Sequence, residues 1–246
     1  MRRDLPLVGN LGSVCPHCSQ ALDTRPGRKK KCPYCGRFIY VRTRPSDHKR
    51  VLVTEAQAEQ IEEQWSIVQG THDSYLARKS RFAQVKAELT SKPGTEPTDD
   101  QVQFHLLNQD AMEQARSQMW GMFSSTRRKM AEILWKTSDP RNALERFLEV
   151  CYLDLNGPNN AATVVDEDRV VRHVFLNGQS PWEPGFGGFI PATLARVKKL
   201  IEVAELDREA VQGLFLNGAG SLHGSLRLPV SPERAWQKLA RELYAR

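Results

Sequence analysis

Long apolar runs are missing from this 246-residue chain. The longest, such as "FLEVCYLDL", fall far short of the roughly 20 residues that a membrane-spanning helix needs, so no transmembrane segment is expected. The opening stretch "MRRDLPLVGNLGSV" is positively charged, but it has neither a sustained apolar core nor a small-residue cleavage site. It therefore does not read as a secretory signal, and a cytoplasmic location with reduced thiols is the expectation. Diagnostic catalytic motifs are missing as well. The six histidines are scattered singly, and the chain has no HExxH, no GxSxG, no HxE followed by a zinc knuckle and no HNH-type cluster. A protein that is not an enzyme is the first expectation. The acidic runs Asp99-Asp100 and Asp166-Glu167-Asp168 could bind a divalent metal, yet they fall at expected helix starts, where carboxylates favour the helix dipole. A metal-dependent nuclease assembled from dispersed acids is the third reading.

Cysteine is scarce but not scattered: four of the five lie between Cys15 and Cys35, as "CPHC" and "CPYCG" separated by thirteen residues. Each Cys-x-x-Cys pair can form a tight turn that points two sulfurs at one ion, and four thiolates satisfy the tetrahedral preference of zinc. A redox dithiol, which needs only one pair, and an iron–sulfur site are the alternatives. The proline after the first cysteine of each pair fixes the turn, and Gly36 permits a positive φ. The stretch over about residues 12–54 resembles the zinc-ribbon family, in which two CPxC knuckles precede a β-hairpin or three-stranded sheet. The resemblance implies one structural Zn2+ held by Cys15, Cys18, Cys32 and Cys35, with His17 outside the ligand set. It implies a fold and a metal, but no particular activity. A site filled by four protein sulfurs leaves no open position for water or substrate, and a module this short depends on its metal to fold. The fifth cysteine, Cys151, falls among Phe147, Leu148 and Leu155 and reads as a small buried hydrophobe.

The net charge of +6 conceals an asymmetry. Residues 1–50 hold twelve of the 35 Lys/Arg and three of the 29 Asp/Glu, a balance of +9, which leaves 23 basic against 26 acidic residues for the remainder. A concentrated positive field favours polyanionic partners. Candidate nucleic-acid contacts are Arg25, Arg28, Lys29, Lys30, Lys31, Arg37, Tyr40, Arg42 and Arg44. "FIYVRTR" alternates like a strand, placing Phe38 and Tyr40 on one face and Ile39 and Val41 on the other. DNA or RNA backbone contact through this ribbon is the leading functional expectation. The alternative is an assembly or adaptor protein whose ribbon docks on another protein.

Beyond the ribbon the pattern is helical, so the fold class expected is mainly α with a small N-terminal β ribbon. The boundaries expected are 1–53 for the ribbon, 54–92 for a helical hairpin or arm and 93–246 for a helical domain used in oligomerisation or partner docking. Thr54 with Gln57, and Thr98 with Gln101, read as capping boxes. One long helix with a bend at Gly121 is expected through Thr98–Lys136, and Asp139-Pro140 opens the next, closed by Asn156-Gly157-Pro158. Arg127, Arg128 and Lys129 read as a solvated basic face. "DEDRVVRHVFLNG" and "DREAVQGLFLNG" read as two short helices, each stopped by Asn-Gly. Trp182, Phe186 and Phe189, in "GQSPWEPGFGGFIP", read as anchors of an ordered connection onto the body.

Overall fold

The computed structural model describes residues 5–90, 96–137, 139–165, 171–175, 179–185 and 188–245. The fold is mainly α. Among the described residues there are eight helices, preceded by a small antiparallel sheet of three strands. The chain divides into two compact units, Met1–Gln84 and Val85–Arg246. No helix among the described residues is long and apolar enough to cross a membrane.

In the first unit the strands β1 (Lys30–Lys31), β2 (Phe38–Thr43) and β3 (Arg50–Val53) lie in that order. Alternation along β2 buries Ile39, with Val41 partly buried, beside Cys15, Leu22, Cys32 and Leu52 on one face of the sheet. The other face meets α1 (Glu55–Val68), where Val51 and Val53 pack on Ala58 and Ile61. The expected capping box opens α1, with Gln57 N donating to the Thr54 hydroxyl and the Gln57 side chain accepting from Thr54 N. Trp65 Nε1 donates to Thr43 O at 2.8 Å and ties α1 to the end of β2. Val68 is exposed at the last turn. The helix α2 (His72–Thr90) follows and runs through the division between the units.

The second unit is built around α5 (Pro140–Asn156), which packs against α4 (Trp120–Lys136), α6 (Pro191–Val203), α7 (Arg208–Leu226) and α8 (Pro232–Tyr244). Its core gathers Leu144, Phe147, Leu148, Tyr152, Phe215 and Trp236, and Cys151 is fully buried among them. Asp139 caps α5, with Pro140 in its first turn, and Gly157 closes it at φ 61°. A Cβ at Gly157 would stand 2.1 Å from the carbonyl oxygen of Glu183, so only glycine fits.

Three expectations give way here. The long helix is two, α3 (Asp99–Arg116) and α4, and the break falls at Ser117–Met119 rather than at Gly121. Gln118 adopts φ 57° and its carbonyl accepts from Ala161 N, so a tertiary contact stabilises a turn that lacks proline and glycine. Gly121 lies within α4, where a Cβ would meet the Asn160 side chain at 3.1 Å. In place of a helix, Val171–Val174 forms β5, paired antiparallel with β4 (Ala162–Val165). The runs Asp166–Val170 and Leu176–Gly178 lie outside the described residues. The second FLNG does not stop its helix: α7 runs on to Leu226, because Val211, Phe215 and Ala219 keep one buried stripe through Asn217-Gly218.

In the basic spot of α4, Lys129 is exposed as expected, but the two arginines are not simply solvated. Arg127 Nη2 donates to Glu149 at 2.7 Å, and Arg128 Nη2 donates to Asp154, whose carboxylate is nearly buried and also accepts from Ser124. Burial pushes the Asp154 carboxyl above the usual range, and the Arg128 charge opposes that shift. Trp182 is buried and stacks on Trp120 with ring centroids 5.4 Å apart, so the aromatic loop anchors a connection here, and Phe189 packs on the same core. Phe186 lies outside the described residues.

Candidate metal centre and basic face

Two short turns build the cysteine cluster, and they share one backbone pattern. In the first, Cys15 N donates to Gln20 O and Ser19 N to Cys15 O; in the second, Cys32 N donates to Arg37 O and Gly36 N to Cys32 O. Ser19 (φ 59°) and Gly36 (φ 70°) occupy the same left-handed position, the expected one for Gly36. The turns bring all four Sγ atoms within 4.8 Å of one another. Cys15 and Cys35 sulfurs are 3.8 Å apart, and Cys18 and Cys32 are 3.9 Å apart. Four sulfurs arranged tetrahedrally at about 2.3 Å from a central ion would be separated by about 3.8 Å, so the spacing fits one bound metal ion. All five cysteines are free thiols. Among the described residues this is the one group of three or more His, Cys, Asp or Glu side chains placed to hold a metal.

The electrostatics of the thiols point the same way. Burial pushes the Cys32 thiol up, but the backbone amides of Cys35 and Tyr34 and the thiols of Cys15 and Cys35 outweigh it and bring it down to about 7. At Cys18 the Gln20 amide favours the thiolate, yet burial and the three neighbouring thiols outweigh it and push the group up to about 12. The cluster thus favours a thiolate at Cys32 and resists one at Cys18. A cation at the centre removes that resistance. His17 stands outside the ligand set: its Nε2 donates to Phe38 O at 3.0 Å and fastens the first knuckle to the start of β2.

The basic residues do not form one patch. The β1–β2 register pairs Lys31 with Phe38 and Lys30 with Ile39, so Lys31 shares the face of Phe38 and Lys30 takes the face of the cysteines. Lys29 Nζ lies 4.4 Å from the Phe38 ring centroid and 4.6 Å from that of Tyr40, and Lys31 Nζ lies 5.3 Å from Phe38. Arg42 sits beside the Tyr40 ring and pairs with Glu62 at 3.3 Å, while Tyr40 Oη donates to Glu55 at 2.6 Å. Arg25 donates to the carbonyls of Leu11 and Arg50 and latches the loop between the knuckles. Arg28 and Arg37 are exposed. Arg44 is 4 % exposed and forms a bidentate pair with Asp47 through Nε at 3.1 Å and Nη2 at 2.6 Å, so its charge is neutralised inside the fold. The structure therefore brings Lys29, Lys31, Phe38, Tyr40 and Arg42 together and leaves Arg44 out.

No family model, curated protein or solved structure matches this chain.

Proposed function

We propose that the N-terminal unit is a zinc ribbon that binds nucleic acid through its phosphate backbone. Cys15, Cys18, Cys32 and Cys35 would hold one structural Zn2+, which supplies the stability that so small a sheet cannot obtain from its own core. Zinc suits four sulfurs at these separations, and a filled tetrahedron makes the metal structural rather than catalytic.

The observation that carries the binding reading is the cation–aromatic face at the start of β2. Lys29 and Lys31 are held over exposed ring surface and, among the described residues, form no ion pair, and Arg28 and Arg37 are exposed in the same unit. The unit also holds the positive balance of the chain. Phosphates are the complementary ligand for such a field.

The test is binding of the zinc-loaded full chain to labelled single- and double-stranded DNA and RNA between about 50 and 300 mM salt. Phosphate contact gives log affinity that falls linearly with log salt, by about 0.9 per neutralised phosphate on duplex DNA and about 0.7 on single strands. Absence of binding at the lowest salt would overturn the reading and leave an acidic protein surface as the partner to seek.

A further inference from the structure

The nucleic-acid reading leaves open which form of the polymer the face selects. Resting on that reading, we infer that Phe38 is a stacking platform for one unpaired base, so that the ribbon prefers single-stranded over duplex nucleic acid.

Three features of the sheet lead there. The face shared by Phe38, Tyr40 and Arg42 is covered by α1 at one end only: Tyr40 Oη is engaged by Glu55 and Arg42 by Glu62, both on that helix. Phe38, at the opposite end of β2, is 43 % exposed, and among the described residues no helix residue bonds to it or stacks on it. What covers its ring is ammonium: Lys29 at 4.4 Å and Lys31 at 5.3 Å from the centroid. A cation over a ring is a weakly held cover at an exposed site, and a base offers the ring far more contact area. On arrival of a base, the two lysines need only swing aside from the ring to meet the flanking phosphates, so the groups displaced become the groups that bind.

The platform is also fixed from behind. Phe38 O accepts from His17 Nε2 in the first knuckle, and Phe38 pairs with Lys31 across the strands, so its backbone is held by the metal-binding turn and the sheet together. A base inside a duplex is already stacked on both faces and cannot reach a ring placed this way without being extruded at considerable cost. Selection of single strands follows from that cost.

The experiment compares zinc-loaded full-length protein and its Phe38→Ala and Phe38→Trp variants on oligo-dT, oligo-U, an abasic deoxy-oligonucleotide of equal length, and duplex DNA. Expected for the unaltered protein is tighter binding to base-bearing strands than to the abasic strand, by about tenfold or more. Phe38→Ala should lose that difference, and Phe38→Trp should keep it. Because Phe38 is half exposed, metal content and thiol protection serve as the folding control for Phe38→Ala. The two base-bearing strands separate DNA from RNA preference. Equal affinity for abasic and base-bearing strands, unaltered by Phe38→Ala, would overturn the stacking inference while leaving backbone binding intact. Failure to bind any strand would overturn both.

Discussion

Arg44 and Asp47 stand in a third turn of the first unit as Cys32 and Cys35 stand in the second. Arg44 N donates to Lys49 O and His48 N to Arg44 O, and His48 takes φ 55°, repeating the backbone pattern of both knuckles. Each of the three turns carries proline after its first residue, and in the third a bidentate ion pair at i and i+3 closes the loop where the others present sulfurs.

The ion pair makes a prediction for stability across pH. Hydrogen bonding from Arg44 holds the Asp47 carboxyl below the usual range, helped by the Lys49 amide and both cationic charges, with burial opposing. A folded pKa below the unfolded one contributes stability that is present above the unfolded value, about 3.9, and lost as pH falls through the folded value. Asp47→Asn should therefore lower the unfolding midpoint throughout about pH 5–8, where the thiolates still hold the metal, and the gap should be constant across that window because the folded and unfolded carboxyl values both lie below it. No gap, or one that changes across that window, would show that the carboxylate charge is not what Asp47 contributes.

Ser19 and Gly36 share one backbone position, and only one of them suits it. Ser19→Gly should stabilise the metal-loaded protein by about 0.5–1 kcal/mol, since a left-handed φ strains an L side chain. Gly36→Ala should cost about 1 kcal/mol or more by the same reasoning. Denaturant midpoints of the zinc-loaded variants decide it, and loss of stability in Ser19→Gly would mean that the Ser19 side chain contributes something the backbone geometry does not reveal.

Chelation should separate the thiols into two classes. Removal of the metal should expose Cys15, Cys18, Cys32 and Cys35 to a thiol reagent together, whereas Cys151 should react only on global unfolding. Burial, aided by the nearby Asp154 charge and opposed by Arg128, pushes the Cys151 thiol well above its ordinary range, and it has no exposed surface. Four rapid thiols and one slow thiol are the expected stoichiometry, read alongside one zinc lost per chain.

Two glycines of the helical unit should respond in opposite directions. Gly157→Ala places a methyl group against the Glu183 carbonyl and should cost about 2 kcal/mol or more. Gly220, in α7, has open space where a Cβ would go, so Gly220→Ala should gain about 0.5–1 kcal/mol of helix stability. Thermal unfolding of the second unit's helical signal measures both.

These relationships differ in how far they could be read from the letters. The cysteine turns were legible because Cys-x-x-Cys is a local pattern that brings two sulfurs together, and the two capping boxes were legible because both partners lie three residues apart. The third turn was not: "RPSDHK" shares only its proline with "CPYCGR", and the ion pair that closes it has no fixed signature. Gln118 breaks a continuous helical pattern through a bond from the distant Ala161 amide, and Asn217-Gly218 fails to break one because the buried stripe of α7 outweighs a local stop signal. The division of Lys29, Lys30 and Lys31 between two sheet faces required the register, which composition does not contain.

The most direct test of the account is the salt dependence of single-strand binding by zinc-loaded Lys29→Gln/Lys31→Gln protein, set beside Lys30→Gln. If the Phe38 face is the binding surface, the double variant should lose affinity and its slope of log affinity against log salt should flatten by about 1.4, while Lys30→Gln should leave the slope nearly unchanged. A double variant with the affinity and slope of the unaltered protein would contradict the account.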